Sequence, residues 1–424
     1  MSNLNHSRNF RFGPFYLLLC AFFFVGCASH LKLAKPIPPT TSIGSPEFRE
    51  AMGSLITPGF LPGNKVEALN NGVEIFPAML QAIREARKTI NFETFIFYDG
   101  EIPRQFADAL SERARAGVQV RVVLDALGAS KSRSLQHQMI AAGVKLEKFH
   151  SVWWHDPRRY NRRTHRKLLI VDARVAFIGG VGIGDEWDGN VRSPKEWRDM
   201  HFRVRGPVVN QLQAAFNDHW FDTAGEVLQG KDFFPLQAPA GNMAARGFIS
   251  SPGRNRSGAE WMYHLTIASA QHSLLIENAY FLPNAPMVDA LCAAAKRGVK
   301  VQIILPGKHM DQKAVHRASR KRWNKLLTAG VEIYEYLPSM IHSKLLIADG
   351  LFCSVGSTNL DPRSLWINNE ANLDILDVGM ARELTAIFQK DLQQSVKVLD
   401  AEHSVKSIHT LPATVIQTPL ESQF

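Results

Sequence analysis

Two stretches of this 424-residue chain carry the same three chemistry-bearing residues at the same spacing: His165, Lys167 and Asp172, then His342, Lys344 and Asp349. A neutral histidine can attack, a protonated one can donate, and a lysine ammonium can hold phosphoryl oxygens. Those are the needs of attack on a phosphodiester: a nucleophile active near neutral pH, an acid for the leaving alkoxide, and fixed cations around phosphorus. With two lysines supplying the charge, no metal ion or other cofactor is expected. One His-x-Lys-x-x-x-x-Asp pattern arises readily by chance, but two at the same place in an internal repeat do not. A histidine used in this way also needs a carboxylate on its other ring nitrogen to fix its tautomer, and Asp199 and Glu370 are the candidates.

The elements that must position these residues also come twice. Ala116-Gly117-Val118-Gln119-Val120-Arg121-Val122-Val123-Leu124 matches Arg297-Gly298-Val299-Lys300-Val301-Gln302-Ile303-Ile304-Leu305, and Phe92-Glu93-Thr94-Phe95-Ile96-Phe97 parallels Ile276-Glu277-Asn278-Ala279-Tyr280-Phe281. In each copy a helical pattern ends at a glycine and runs into a β-branched strand, as a βαβ crossover into a sheet covered on both faces requires. The expected fold class is therefore α/β, one sandwich per half, over residues 64–222 and 245–395, with Pro235, Pro239 and Gly241 in the linker. On a strand His and Lys at i and i+2 project together, while Arg166 or Ser343 between them points away. Asp172 and Asp349 have the opposite parity and fall at a hairpin turn, so they are expected to brace the motif.

These motifs resemble the phospholipase D superfamily, whose signature is the duplicated HKD motif, and the resemblance covers residues 64 to 395. It implies two tandem α/β repeats related by a pseudo-twofold, with one shared active site. It also implies a small residue and an amide after each motif: Ser357 and Asn359 in the second half, as orienting or phosphate-contacting groups. The first half has Gly180, and Gly182 stands where the family usually has Asn, which puts one phosphate hydrogen bond in doubt. The run Gly356-Ser357-Thr358-Asn359-Leu360-Asp361-Pro362-Arg363-Ser364-Leu365 and the later Asn369-Glu370-Ala371-Asn372 are similar to bacterial cardiolipin synthases. Ile178-Gly179-Gly180 and Arg198-Asp199 are similar to the cardiolipin synthase B type. By this analogy His165 forms a phosphohistidine and His342 protonates the leaving group; the pseudo-twofold leaves the reverse assignment open. The activity implied is phosphatidyl transfer, giving cardiolipin from phosphatidylglycerol. Hydrolysis of phospholipids to phosphatidic acid, or an exported nuclease of the same superfamily, are the alternatives.

Charge and the two termini bear on location. The formal charge of +10 favours an anionic partner, nucleic acid or an acidic lipid surface, and charge alone does not choose between them; the motif resemblance and the leader favour a membrane phospholipid. Arg8 and Arg11 precede an apolar run from Phe15 to Val25, too short for an ordinary membrane-spanning helix, which reads as a signal peptide over residues 1–26. Phe24-Val25-Gly26-Cys27 resembles a lipobox, with Cys27 as the lipidation candidate. Residues 27–63 are expected as anchor and linker and 396–424 as a tail, with the enzyme on the exported side of a bacterial envelope. Cys20 and Cys27 lie in the leader, and Cys292 and Cys353 sit alone in apolar patterns, so no disulfide framework is expected. Trp153 to Arg163, and Lys308 to Lys325, mix aromatics and cations before each motif and suit a surface of anionic headgroups.

Overall fold

The computed structural model describes residues 36–150, 161–252 and 258–399. The leader and Cys27, the residues 151–160 and the tail beyond 399 lie outside the described residues.

The repeat read from sequence is a repeat in space. In the first half β2 (Thr89–Thr94), the helix Glu101–Arg115, β3 (Gln119–Asp125), the helix Arg133–Ala141 and β4 (Lys145–Phe149) follow one another, with the three strands parallel. In the second, β9 (Ser273–Asn278), the helix Ala285–Lys296, β10 (Lys300–Pro306), the helix Lys313–Thr328 and β11 (Glu332–Tyr336) repeat the plan. The helices before β3 and β10 stop at Gly117 and Gly298, whose φ of 89° and 93° only glycine adopts without strain. From Val120 to Leu124 and from Val301 to Leu305 every strand residue is buried, which is why these runs show no polar alternation.

An antiparallel hairpin follows in each half: β5 (Leu168–Val171) with β6 (Val175–Gly179), and β12 (Lys344–Ala348) with β13 (Phe352–Gly356). Next to them lie β7 (Met200–Arg205) and β14 (Glu370–Leu376). The sheet closes across the halves where β1 (Leu61–Asn70) pairs antiparallel with β8 (Met243–Ser250). With β15 (Ser395–Lys397) at one edge, the order is therefore β15-β11-β10-β9-β12-β13-β14-β8-β1-β7-β6-β5-β2-β3-β4, and the two halves mirror one another about the β1–β8 contact. One apolar core joins them, with Phe202, Phe216 and Trp220 of the first half packed together with Leu345, Ile375 and Phe388 of the second.

Two stretches expected as connectors belong to the folded body. Residues up to 63 read as linker, yet Pro46–Leu55 is a helix capped by the Ser45 hydroxyl, and its Phe48 and Met52 are buried with Ile43 and Ile56 in the second half's core. The Arg246 guanidinium donates to the carbonyls of Met52 and Ile56, which fixes the chain end of that helix. At the other end Ser395–Lys397 forms β15, the outermost strand beside β11, so the tail starts later than residue 396. A ten-residue amphipathic helix after a proline-rich run carries little signal of its own, because its burial is decided by the partner it packs on.

Candidate active site

The two HKD histidines sit just ahead of their strands, at the end of β5 and β12 where each hairpin faces the other half. His165 and His342 are 7% and 5% exposed, so they are nearly desolvated but open to a ligand. His165 Nδ1 lies 2.9 and 3.0 Å from the two carboxylate oxygens of Glu370. His342 Nδ1 lies 2.7 Å from Asp199 Oδ2. Each histidine thus takes its carboxylate from the opposite half. The backbone makes the same exchange: His165 N donates to Asn369 O at 2.8 Å, and His342 N donates to Arg198 O at 2.6 Å. With Nδ1–H committed to a carboxylate, Nε2 is the nitrogen left for attack or proton transfer.

Lys167 and Lys344 flank the pair, each with its ammonium anchored on the carbonyl of its own histidine, at 2.7 and 2.5 Å. Arg166 and Ser343 do point away, to Ala215 O and Ser251 in one case and to Glu277 in the other. Burial drives the site's protonation. It lowers the pKa of both imidazoles to about 4, helped by the two lysines and opposed by Glu370 and Asp199. Burial also lowers Lys167 to about 7 and Lys344 to about 8. Burial works against ionising Asp199, yet His342 and Lys344 hold it down at about 2, and His165 likewise holds Glu370 below its usual value. Near neutral pH the centre is two neutral imidazoles, two carboxylates and two lysines close to their titration points.

Asp172 and Asp349 do the same structural job twice. The Asp172 carboxylate accepts the backbone N–H groups of Arg87, Lys88 and Thr89, and Asp349 accepts those of Gln271, His272 and Ser273. Both residues have φ near 50°, the tight turn of the hairpin. Each carboxylate ties its hairpin to the start of the neighbouring parallel strand.

The two dyads differ in what steadies the carboxylate. Glu370 receives the hydroxyls of Ser357 at 2.5 Å and Ser364 at 2.7 Å. Asn359 is buried and its side-chain oxygen meets no hydrogen-bond donor. On the other side Trp187 Nε1 donates to Asp199 Oδ2 at 2.9 Å, the oxygen that also meets His342. Gly180 and Gly182 make this possible. A Cβ on Gly180 would lie 2.3 Å from Asp199 Oδ1, and one on Gly182 would lie 2.7 Å from Ile96 Cβ and 2.9 Å from the Trp187 ring. Trp187 occupies the room an Asn at 182 would need, which accounts for the departure from the family pattern. Sequence reading missed Trp187; the glycine in place of Asn was the one trace of it.

Of the two interfacial segments, Trp153 to Tyr160 falls outside the described residues. In the second, Trp323 is fully buried and Arg320 pairs with Glu335 and lies over the Trp323 ring, so neither is a surface anchor. Lys313, Arg317 and Lys321, four residues apart, form the exposed face of that helix. Cys292 and Cys353 are free and buried. Among the described residues no helix is long and apolar enough to cross a membrane, and no group of three or more His, Cys, Asp or Glu is placed to hold a metal ion.

The family model described as "Cardiolipin synthase, PLD-like domain" matches residues 79–220 and 264–392. Cardiolipin synthase 2 of Bacillus cereus is 33% identical over 351 residues, covering 81% of this chain and 68% of that protein. The chain belongs to the cardiolipin synthase family of the phospholipase D superfamily. The cardiolipin synthase of Clostridium perfringens (strain SM101 / Type A) is 33% identical over 352 residues, 81% of this chain and 74% of its own. These matches span about two thirds to three quarters of the relatives' lengths. Phosphatidylserine synthase of Haemophilus influenzae shares the fold, with a TM-score of 0.63 over 84% of this chain and 93% of that one at 13% identity. The match in two blocks coincides with the two strand-and-helix repeats, and each block contains one HKD motif.

Proposed function

We propose that this enzyme transfers a phosphatidyl group between the glycerol headgroups of two phosphatidylglycerol molecules, giving cardiolipin and glycerol. The observation that carries this reading is the crossed pair of dyads, two neutral histidines each oriented by the other half's carboxylate and within electrostatic reach of both lysines. His165 Nε2 attacks phosphorus as the P–O bond to glycerol breaks, and His342 Nε2–H protonates the departing oxygen. Lys167 and Lys344 hold the phosphoryl oxygens. The bound phosphodiester anion offsets the two lysines, which raises His342 toward the protonated form that donation needs. In the second step His342 takes the proton from a primary hydroxyl of another headgroup as that oxygen attacks phosphorus, and the P–N bond breaks. His342 ends protonated, ready for the next turnover.

The membrane supplies both substrates, and we place the enzyme at its surface on the exported side, with the leader and Cys27 as the attachment. The exposed face of Lys313, Arg317 and Lys321 supports contact with anionic headgroups.

The test is to incubate the full chain with phosphatidylglycerol in mixed micelles and resolve the products by mass spectrometry. Cardiolipin with equimolar glycerol is expected. Phosphatidic acid alone would make the chain a hydrolase, and cleavage of single-stranded DNA with no lipid turnover would make it a nuclease.

A further inference from the structure

The pseudo-twofold equates His165 with His342, yet their surroundings differ in kind. Against the His165 ring the described aromatic contact is Phe95, at 5.4 Å. Around His342 stand three aromatic rings: Trp187 at 5.5 Å, Trp197 at 5.4 Å and Tyr280 at 6.0 Å. Tyr280 also carries the Lys344 ammonium over its face, at 5.9 Å. Its hydroxyl donates to Asp311, 2.8 and 3.0 Å from the two carboxylate oxygens. Asp311 is exposed, and Tyr98, Tyr280 and Trp197 are each partly exposed. Burial, then the charges of Glu186 and Asp311, push the Tyr98 phenol up. In the first half the repeat aligns Ile96 with Tyr280, so this wall has no hydroxyl counterpart there.

A wall of aromatic faces with a phenol and a carboxylate at its rim is suited to an uncharged polyol. Carbon–hydrogen faces lie on the rings, and vicinal hydroxyls donate to a carboxylate. Gln312 also donates to Asp311, from its backbone N at 2.8 Å and its side-chain amide at 3.3 Å, and the Tyr280 oxygen itself can accept, so this rim is a hydrogen-bonding edge for hydroxyls. The Asp311 carboxylate repels a phosphate, which Lys167 and Lys344 attract.

We propose that Tyr280, Asp311 and the partly exposed ring of Trp197 form a polyol subsite beside His342, which holds the glycerol headgroup as it leaves and the second lipid's headgroup as it attacks. This rests on the phosphatidyltransferase reading and adds to it the source of acceptor choice. The subsite sets the alcohol next to the histidine that gives and takes its proton, and so fixes His165 as the nucleophile. By holding a headgroup in place it also favours transfer over hydrolysis.

The test is a competition. The full chain turns over phosphatidylglycerol in mixed micelles with equal concentrations of free glycerol and 1-propanol, and mass spectrometry reads phosphatidylglycerol re-formed from labelled glycerol, phosphatidylpropanol, cardiolipin and phosphatidic acid. The wild type is expected to prefer glycerol to propanol. Asp311→Asn and Tyr280→Phe are expected to lower that preference, and the ratio of cardiolipin to phosphatidic acid, by about tenfold, since a site built to bond hydroxyls discriminates by them. Both ratios are independent of how much folded enzyme each variant yields. If the wild type makes cardiolipin and both variants keep its two ratios, the subsite is refuted while the function stands. If the wild type makes no cardiolipin, the function itself fails.

Discussion

His165 and Glu370 are 205 residues apart in sequence and 2.9 Å apart at the centre of the site. The second dyad, His342 with Asp199, crosses in the opposite direction. Neither half therefore holds a complete pair at its own HKD histidine, and the shared core and the β1–β8 junction are what bring the two into register. If the carboxylate's role is to hold the tautomer, Glu370→Gln keeps the shape but reverses the hydrogen bond. Its kcat is expected to fall by about 10³–10⁴-fold with a folded protein and little change in KM. Steady-state kinetics alongside a melting curve would check this, and a loss below tenfold would remove Glu370 from the mechanism.

Trp187→Phe keeps an aromatic ring beside His342 and removes the N–H that Asp199 Oδ2 receives. A carboxylate that loses a donor becomes a stronger base, so the protonated form of His342 is favoured and its pKa rises. The pH profile of kcat is expected to show the His342 limb moved to higher pH. A purely structural role for Trp187 would lower activity without moving that limb.

The lysines set the alkaline side. Their pKa values are depressed, to about 7 for Lys167 and about 8 for Lys344, so the ammonium forms are present below these values and lost above them. In free enzyme kcat/KM is expected to decline as pH rises through 7 to 8. Bound phosphodiester raises both lysine pKa values, so kcat should hold to higher pH than kcat/KM does. Coincident alkaline limbs for the two parameters would contradict this.

Asp172→Asn and Asp349→Asn should act on stability. Each native carboxylate accepts three backbone N–H groups, and an amide replaces one accepting oxygen by a donor facing donors. A loss of about 1–3 kcal/mol in chemical denaturation is expected for each, similar at the two equivalent turns. A wild-type denaturation midpoint with abolished turnover would instead make the aspartates part of the chemistry.

Much of this site is legible in the sequence because it is local and duplicated. His and Lys two apart share a side of the chain, the aspartates fall at turns, and the continuous apolar runs mark strands covered on both faces. Asp199 and Glu370 stand out as carboxylates after each motif. Which one serves which histidine is not written in any spacing, since the exchange is made by the packing of one half on the other. Trp187, Tyr280 and Asp311 were equally silent: each lies outside the motifs, and its role comes from what it meets in space. Trp323 shows the converse: an aromatic within a basic helix suits a surface of anionic headgroups, while its position every fourth residue with Ser319 and Val315 puts it on the buried face.

The most direct measurement is of the covalent intermediate. The full chain would be mixed with phosphatidylglycerol, stopped at alkaline pH where a P–N bond survives, and mapped by peptide mass spectrometry. The account predicts a phosphatidyl group on the peptide bearing His165, absent in His165→Ala. A phosphatidyl group on His342, or transfer to give cardiolipin by enzyme that never carries a lipid phosphate on histidine, would contradict it.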